Sequence, residues 1–277
     1  MPTQLEKAIR FRELHAASGS FIIPNPWDGA SAKILEGLGF PALATSSGAC
    51  AGTLGRRDGR ITREEALENA RLIVESSSLP VSADLEKCFA DDPKEAAETI
   101  RMAAEVGLVG GSIEDTTGDP SNPLFAFELA VERVAAAAEV GRSLPFPFTL
   151  AARAQNFVGG SPDLEDTIRR LQAFEKAGAD VLFAPGLPDI ESVRKVCQSV
   201  SKPVNFMVGI PGRSFTVAEL TAAGVKRNQP CDIALQGGHH RLHGRGEGDH
   251  RTRHLHLRRV VHLHARPRRL PRLSFPV

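Results

Sequence analysis

The chain has 277 residues, 42% hydrophobic and 24% charged, with a formal net charge of +1, which suits one large α/β domain or two small ones. Four scattered cysteines (Cys50, Cys88, Cys197 and Cys231) show no CxxC or finger spacing, which excludes a disulfide framework and a structural zinc site. No apolar run approaches the roughly 18 residues of a membrane helix, and Met1 to Ser20 lacks a secretory apolar core, so a soluble, cytoplasmic protein is expected.

From Ser20 to about Arg227, short β-branched or apolar runs alternate with amphipathic stretches, the pattern of repeated βα units. In chain order it predicts a strand at 21–24, a helix at 29–38, a strand at 42–46, a helix at 63–76, a strand at 81–84, a helix at 93–106 and a strand at 109–114. It continues with a helix at 125–140, a strand at 146–153, a helix at 164–177, a strand at 181–183, a helix at 190–200, a strand at 204–208, a helix at 217–223 and a strand beginning near Val225. Helix signals agree: Thr62 precedes Glu65 as in a capping box, Asp163 precedes Asp166, and Gly39, Gly107, Gly141, Gly178 and Gly224 follow the last periodic residues. The alternation alone leaves a closed barrel and an open doubly wound sheet both possible. The lack of GxGxxG after the first strand argues against the dinucleotide-binding version of the latter.

The pattern ends after Arg227. Residues 1–227 carry 24 Lys and Arg against 30 Asp and Glu, whereas residues 228–277 carry 10 Arg, no Lys, 3 acids and eight of the nine histidines. Residues 1–227 therefore read as one domain, and 228–277 as an Arg- and His-rich tail in place of the last βα unit. A nucleic-acid or anionic-membrane arm and a His-rich metal-binding tract are two readings of it. The joint loss of Lys and surge of Arg, His, Pro and Gly favours a third, a disordered, non-native segment translated out of the original reading frame. Only Phe275 among the tail's residues is aromatic, which argues against nucleic acid as a partner.

The chemistry sits upstream. Leu79 to Glu86 and Gly110 to Asp115 are apolar runs that end in carboxylates, as strands do when they deliver acids to the mouth of a barrel. Asp84 and Glu86 lie two apart and share a strand face, and Glu114 ends the next strand. Neighbouring strands about 5 Å apart bring all three to one place. Oxygen ligands with no His nearby favour Mg²⁺ or Mn²⁺ over Zn²⁺. The plainer alternative is a set of rim acids that cap loops or pair with arginine. Arg153 closes another apolar run, where its guanidinium can grip a carboxylate or phosphonate, or pair with those acids. Ser46, Ser47 and Gly48 follow the second strand, where small side chains let backbone N–H groups approach an anion, although an ordinary turn reads the same way.

Seven segments in order carry a family resemblance: Pro24 to Lys33, Thr45 to Gly48, Leu54 to Asp58, Ala83 to Glu86, Ser112 to Asp115, Ala152-Arg153 and Ala177 to Asp180. Over about residues 5–227 the chain resembles the isocitrate lyase and phosphoenolpyruvate mutase superfamily. The resemblance implies an α/β, TIM-like (β/α)8 barrel in a homodimer or homotetramer that exchanges its eighth helix. It implies Mg²⁺ held by Asp84, Glu86 and Glu114, with Asp84 as direct ligand, substrate held by Ser46, Ser47, Gly48 and Arg153, and Asp58 as an active-site aspartate. The activity implied is making or breaking a C–C or C–P bond beside a 2-oxo acid, through an enolate-like intermediate.

Departures narrow that activity. The lyases of the family carry Lys-Lys-Cys-Gly-His after the fourth strand, whereas residues 115–123 here contain no Cys, His or Lys. Expected activities are therefore of the phosphonomutase, phosphonopyruvate hydrolase or oxo-acid lyase type. A methylisocitrate-type lyase with another acid and base, and an inactive truncated barrel, are the alternatives. Asn122 falls where the mutase branch has an asparagine near the phosphonate and joins the candidate catalytic residues. Cys88-Phe89-Ala90 stands where relatives read Gly-Phe-Gly, so a backbone needing positive φ is expected to be strained. Gln155 stands where an acid is often found after the arginine.

Overall fold

Strands such as Val81–Ala83 and Thr149–Arg153 are buried at every residue, the condition of parallel strands caught between a filled interior and an outer helix layer. A computed structural model describes residues 1–210 and 215–230. Its elements in order are α1 (Gln4–Ala16), β1 (Phe21–Ile22), α2 (Gly29–Gly37), β2 (Leu43–Ala44), α3 (Ser47–Thr53), α4 (Arg63–Ser76), β3 (Val81–Ala83), α5 (Pro93–Glu105) and β4 (Gly110–Glu114). There follow α6 (Phe127–Ser143), β5 (Thr149–Arg153), α7 (Leu164–Ala177), β6 (Val181–Phe183), α8 (Ile190–Ser199), β7 (Val204–Val208), α9 (Val217–Ala222) and β8 (Val225–Pro230).

All strand pairs are parallel, in the order β1-β8-β7-β6-β5-β4-β3-β2. The two end strands are joined as well: Ala44 N–H donates to Pro24 O at 3.0 Å, and Asn25 Nδ2 donates to Ala44 O and Thr45 O at 2.9 and 3.0 Å. This is the expected α/β, TIM-like fold. One register row runs Glu114, Arg153, Phe183, Asn205, Arg227, Phe21 from β4 round to β1. Residues paired in register across parallel strands project to the same face, so this row sets which side chains share the interior.

Three findings depart from the sequence pattern. The eighth strand is present and runs to Pro230, three residues beyond the composition break, because pairing with β7 on one side and β1 on the other overrides the poor strand propensity of Asn228-Gln229-Pro230. The readings of residues 231–277 lie outside the described residues. Helix α3 was not expected, since a seven-residue run with two glycines has no helical signature beyond its Ser46 cap. Helix α1 was not expected either, although Thr3 and Glu6 form a full capping box at its start.

Helix α1 packs onto the sheet by burying Ala8 and Phe11 against Phe21, Ile23, Ala42, Ala44 and Val109. A side chain at Gly110 would sit 2.8 Å from Thr149 O and 3.0 Å from the Phe11 ring, so glycine is what allows that approach. The polar residues of α1 satisfy carbonyls at the ends of other helices: Gln4 Nε2 donates to Ala104 O and Leu108 O at 2.7 and 2.9 Å, and Lys7 Nζ to Ser77 O at 2.8 Å. Among the described residues no helix is long and apolar enough to cross a membrane.

His15, near the end of α1, is buried edge-on against Phe11 and Phe21 at ring separations of 4.8 and 5.0 Å. Burial, with the charge of Arg227 nearby, pushes its pKa down to about 3. An unfolded His15 takes up a proton below about pH 6.5 and the folded one does not. Its contribution is therefore complete above pH 6.5 and lost as pH falls toward 3. Denaturant titrations of wild type and His15→Leu should diverge below pH 6, with the wild type losing up to about 1.4 kcal/mol more per pH unit. Parallel pH profiles for the two proteins would show that His15 is protonated in the fold.

Candidate active site

Strands β2, β3, β4 and β5 each end beside one acidic cluster. Asp84 follows β3 and its carboxylate faces five donors: Ser47 N–H at 3.3 Å, Ser47 Oγ at 3.1 Å, Glu86 N–H at 3.4 Å, Ser112 Oγ at 3.4 Å and Arg153 Nη1 at 3.0 Å. Glu114, the tip of β4, lies 3.3 Å from the same Arg153 Nη1 and accepts from Gln155 Nε2. The two acids therefore meet on one guanidinium, which is buried and stacked on Phe183 at 4.8 Å. Burial opposes the charge of Arg153, but Glu114 and Asp84 outweigh it and hold the group above its ordinary pKa. Arg153 Nε is buried and has no partner. Arg153 thus pairs with the acids and keeps its Nε donor unused.

Glu86 completes the cluster. One of its carboxylate oxygens is buried with no partner. Burial first, then Asp84, Glu114 and Asp58, push its pKa up to about 8. Glu114 is pushed up to about 7, chiefly by burial. Such values mark carboxylates crowded together and short of positive charge.

Asp58 comes from the exposed loop after α3 and accepts from Ser47 Oγ at 2.9 Å. That hydroxyl has one proton and touches two carboxylates, Asp58 and Asp84, so it can satisfy only one of them. Asp58 also lies against Gly48, where a side chain would stand in ordinary contact with its carboxyl carbon at 3.4 Å. Ser46 caps α3 by accepting from Ala49 N–H at 3.1 Å, and Ser47 N–H faces Asp84. Of the three residues expected to offer backbone donors, Ser47 turns its N–H to Asp84, and neither contact uses the N–H of Ser46 or Gly48. Asn122 stands apart on the loop between β4 and α6: it is exposed, and its backbone N–H donates to Asp119 O at 3.1 Å.

The loop after β3 carries three non-glycine residues at positive φ, Glu86 (50°), Cys88 (59°) and Phe89 (56°). Of the two positions where relatives have glycine, Cys88 takes the expected positive φ and Ala90 does not, while Glu86 and Phe89 add strain that was not expected, at roughly 1 kcal/mol or more per residue. Arg133 of α6 opposes it, donating from Nη1 to Ala90 O and Asp91 O at 2.5 and 2.6 Å and from Nη2 to Lys87 O. Thr99 Oγ1 adds a bond to Cys88 O at 2.8 Å. On the other side, Asp115 accepts from Gln155 N–H at 2.8 Å and pairs with Arg170 at 3.1 Å, which fixes the tips of β4 and β5 together. Sequence reasoning missed Arg133, Thr99 and Arg170. A buried Arg in mid-helix looks like any surface Arg until the carbonyls it meets are known.

Among the described residues no three His, Cys, Asp or Glu side chains stand ready-made around one point as metal ligands. The donor chemistry nevertheless fits a hard cation. Mg²⁺ keeps several waters and takes one or two carboxylates, so it needs no cage, and the orphaned Glu86 oxygen and the unmet demand of Asp58 and Asp84 are what such an ion would satisfy. Arg133→Met should cost about 2–4 kcal/mol, because it leaves three loop carbonyls without a charged donor. Urea denaturation measures this, and a loss below about 1 kcal/mol would mean that the loop holds its strained shape without Arg133.

The chain is 47% identical to a solved Burkholderia cenocepacia J2315 protein classed as a lyase/mutase, with a TM-score of 0.83 over 86% of each chain. It is 30% identical over 235 residues to an oxaloacetate decarboxylase of Bradyrhizobium diazoefficiens, covering 82% of this chain and 77% of the relative. It is 28% identical over 204 residues to the 2-methylisocitrate lyase of Escherichia coli K12, covering 70% and 68%. The sequence profile of phosphoenolpyruvate phosphomutase matches residues 11–229. The chain therefore belongs to the phosphoenolpyruvate phosphomutase family, within the isocitrate lyase and phosphoenolpyruvate mutase superfamily.

Proposed function

We propose that this protein is a Mg²⁺-dependent enzyme that makes or breaks a C–C or C–P bond next to a 2-oxo acid, through an enolate-like intermediate. The observation that carries the reading is the convergence of Asp84, Glu86 and Glu114 with Arg153 beside Ser47 and Asp58. Asp84, Glu86 and Glu114 would hold the ion. Bound there, Mg²⁺ would supply positive charge beside the 2-oxo oxygen, where negative charge develops.

The chain's own groups do the rest. Arg153 Nε, buried and unpartnered, donates to the substrate's carboxylate or phosphonate. Gly48 N–H, in the first turn of α3, faces a second substrate oxygen. Asp58, held by Ser47 and Gly59 N–H at 2.9 and 3.0 Å, is the acid at the rim that can take or return a proton. Asn122 lies on the loop from which it would reach a phosphonate.

The cysteine-dependent lyase route is disfavoured by the thiols themselves. Cys88 is fully buried and burial pushes it up to about 12, while Cys50 is pushed up to about 11. Neither offers a thiolate near neutral pH. Relatives are named for oxaloacetate decarboxylation (30% and 29% identical) and for 2-methylisocitrate cleavage (28%) alike, so the preference for a 2-oxo acid rests on the loop at 115–123 without cysteine.

Oxaloacetate, phosphonopyruvate and 2-methylisocitrate, each with Mg²⁺ and with chelator, separate these reactions. Turnover of one of the first two is expected, with loss on chelation. Asp84→Ala should remove turnover and Mg²⁺ binding together, a drop of at least about 10³ in rate. Activity that survives this change would take the carboxylates out of the mechanism.

A further inference from the structure

Arg227, the third residue of β8, is the other cation inside the barrel. It is 3% exposed, and its Nε and Nη1 are buried with no hydrogen-bond partner. Its situation differs from that of Arg153, whose Nη1 is engaged by Asp84 and Glu114 at 3.0 and 3.3 Å. The register row through Phe183 and Asn205 places both arginines on the inner face. Together they line a cavity of about 10 Å³ with Ser82, Asp84, Ser112 and Gln229. That space holds one water and no carboxylate. Arg227 therefore lines the same small space as Asp84 and Arg153, too small for a substrate carboxylate to enter.

A guanidinium buried without a counter-charge is costly, and burial, with the charge of Arg153, pushes it down to about 9. Negative charge that a ligand brings into the site offsets part of that cost. One negative group of a 2-oxo acid is already matched by the donors described above. We propose that Arg227 is a positioning residue that makes the enzyme select doubly charged 2-oxo acids over singly charged ones. This rests on the reading of the site as one for 2-oxo acids. A charge acting through its field stabilises a ligand in proportion to the ligand's own charge. Removing it should weaken a dianion by about the square of the factor that a monoanion loses.

The test is calorimetric titration of the full chain in saturating Mg²⁺ with pyruvate, a monoanion, and 3,3-difluorooxaloacetate, a dianion with the same 2-oxo acid head. Wild type, Arg227→Lys, Arg227→Gln and Arg227→Met are compared, each also melted without ligand. For Arg227→Gln and Arg227→Met the expected loss is about tenfold for pyruvate and about 100-fold for difluorooxaloacetate. Arg227→Lys should stay within about threefold of wild type for both, and Arg227→Met should melt no lower than wild type, because an unpaired buried charge has been removed. Equal losses for the two ligands, no loss, or failure of lysine to restore selectivity would overturn the proposal, and Arg227→Gln reads the charge even where Arg227→Met does not fold. Wild type that binds neither ligand would remove the 2-oxo acid reading itself. Wild type that binds both, with equal losses in the variants, would remove only the role of Arg227.

Discussion

Everything in this site depends on one guanidinium held between two acids. Arg153 reaches Asp84 and Glu114 from the tip of β5, and the register row that pairs Glu114 with Arg153 is what brings them together. A single cation cannot satisfy the group. With Glu86 and Asp58 there are four carboxylates to one arginine at the mouth, and burial first, then this crowding, pushes Glu86 and Glu114 up. A divalent cation is the simplest partner for such a cluster, and it is the partner that a developing enolate oxygen needs.

The fold holds this arrangement against two opposing forces, like-charge repulsion and backbone strain. The loop from Glu86 to Phe89 takes up positive φ without glycine, and Arg133 and Thr99 bind its carbonyls from α6 and α5. Across the cluster, Arg170 ties Asp115 to Asp166 at 3.1 and 2.7 Å. These supports touch no substrate. They decide whether Asp84 and Glu114 share one place or drift apart, and a shift of 1 Å is enough to change the chemistry.

How legible each part was in the sequence follows from how local its cause is. Asp84, Glu114 and Arg153 could be read because an apolar strand that ends in a charge leaves few other places for that charge. Strands and most helices followed from period and caps, with ends adjusted by a residue or a few. Ser47 had only a weak signal from its place after the second strand, and Asp58 could be grouped with them only through the family resemblance, because they come from a short helix and a loop with no periodic signal. Arg133, Gln155 and Arg227 were silent as partners of the site. Their meaning lies in carbonyls, carboxylates and cavities supplied by strands tens of residues away, and nothing in their immediate neighbours distinguishes them from surface residues. β8 was half legible: its start followed from the helix end at Gly224, and its continuation to Pro230 depends on pairing partners at both edges.

The central claim is that a divalent ion sits among these carboxylates, and the most direct measurement is anomalous diffraction from crystals of the full chain grown with Mn²⁺. The account predicts one strong manganese peak at the carboxylate cluster of Asp84, Glu86 and Glu114. Manganese bound elsewhere on the barrel, or no peak while Asp84 remains closed on Arg153, would contradict it.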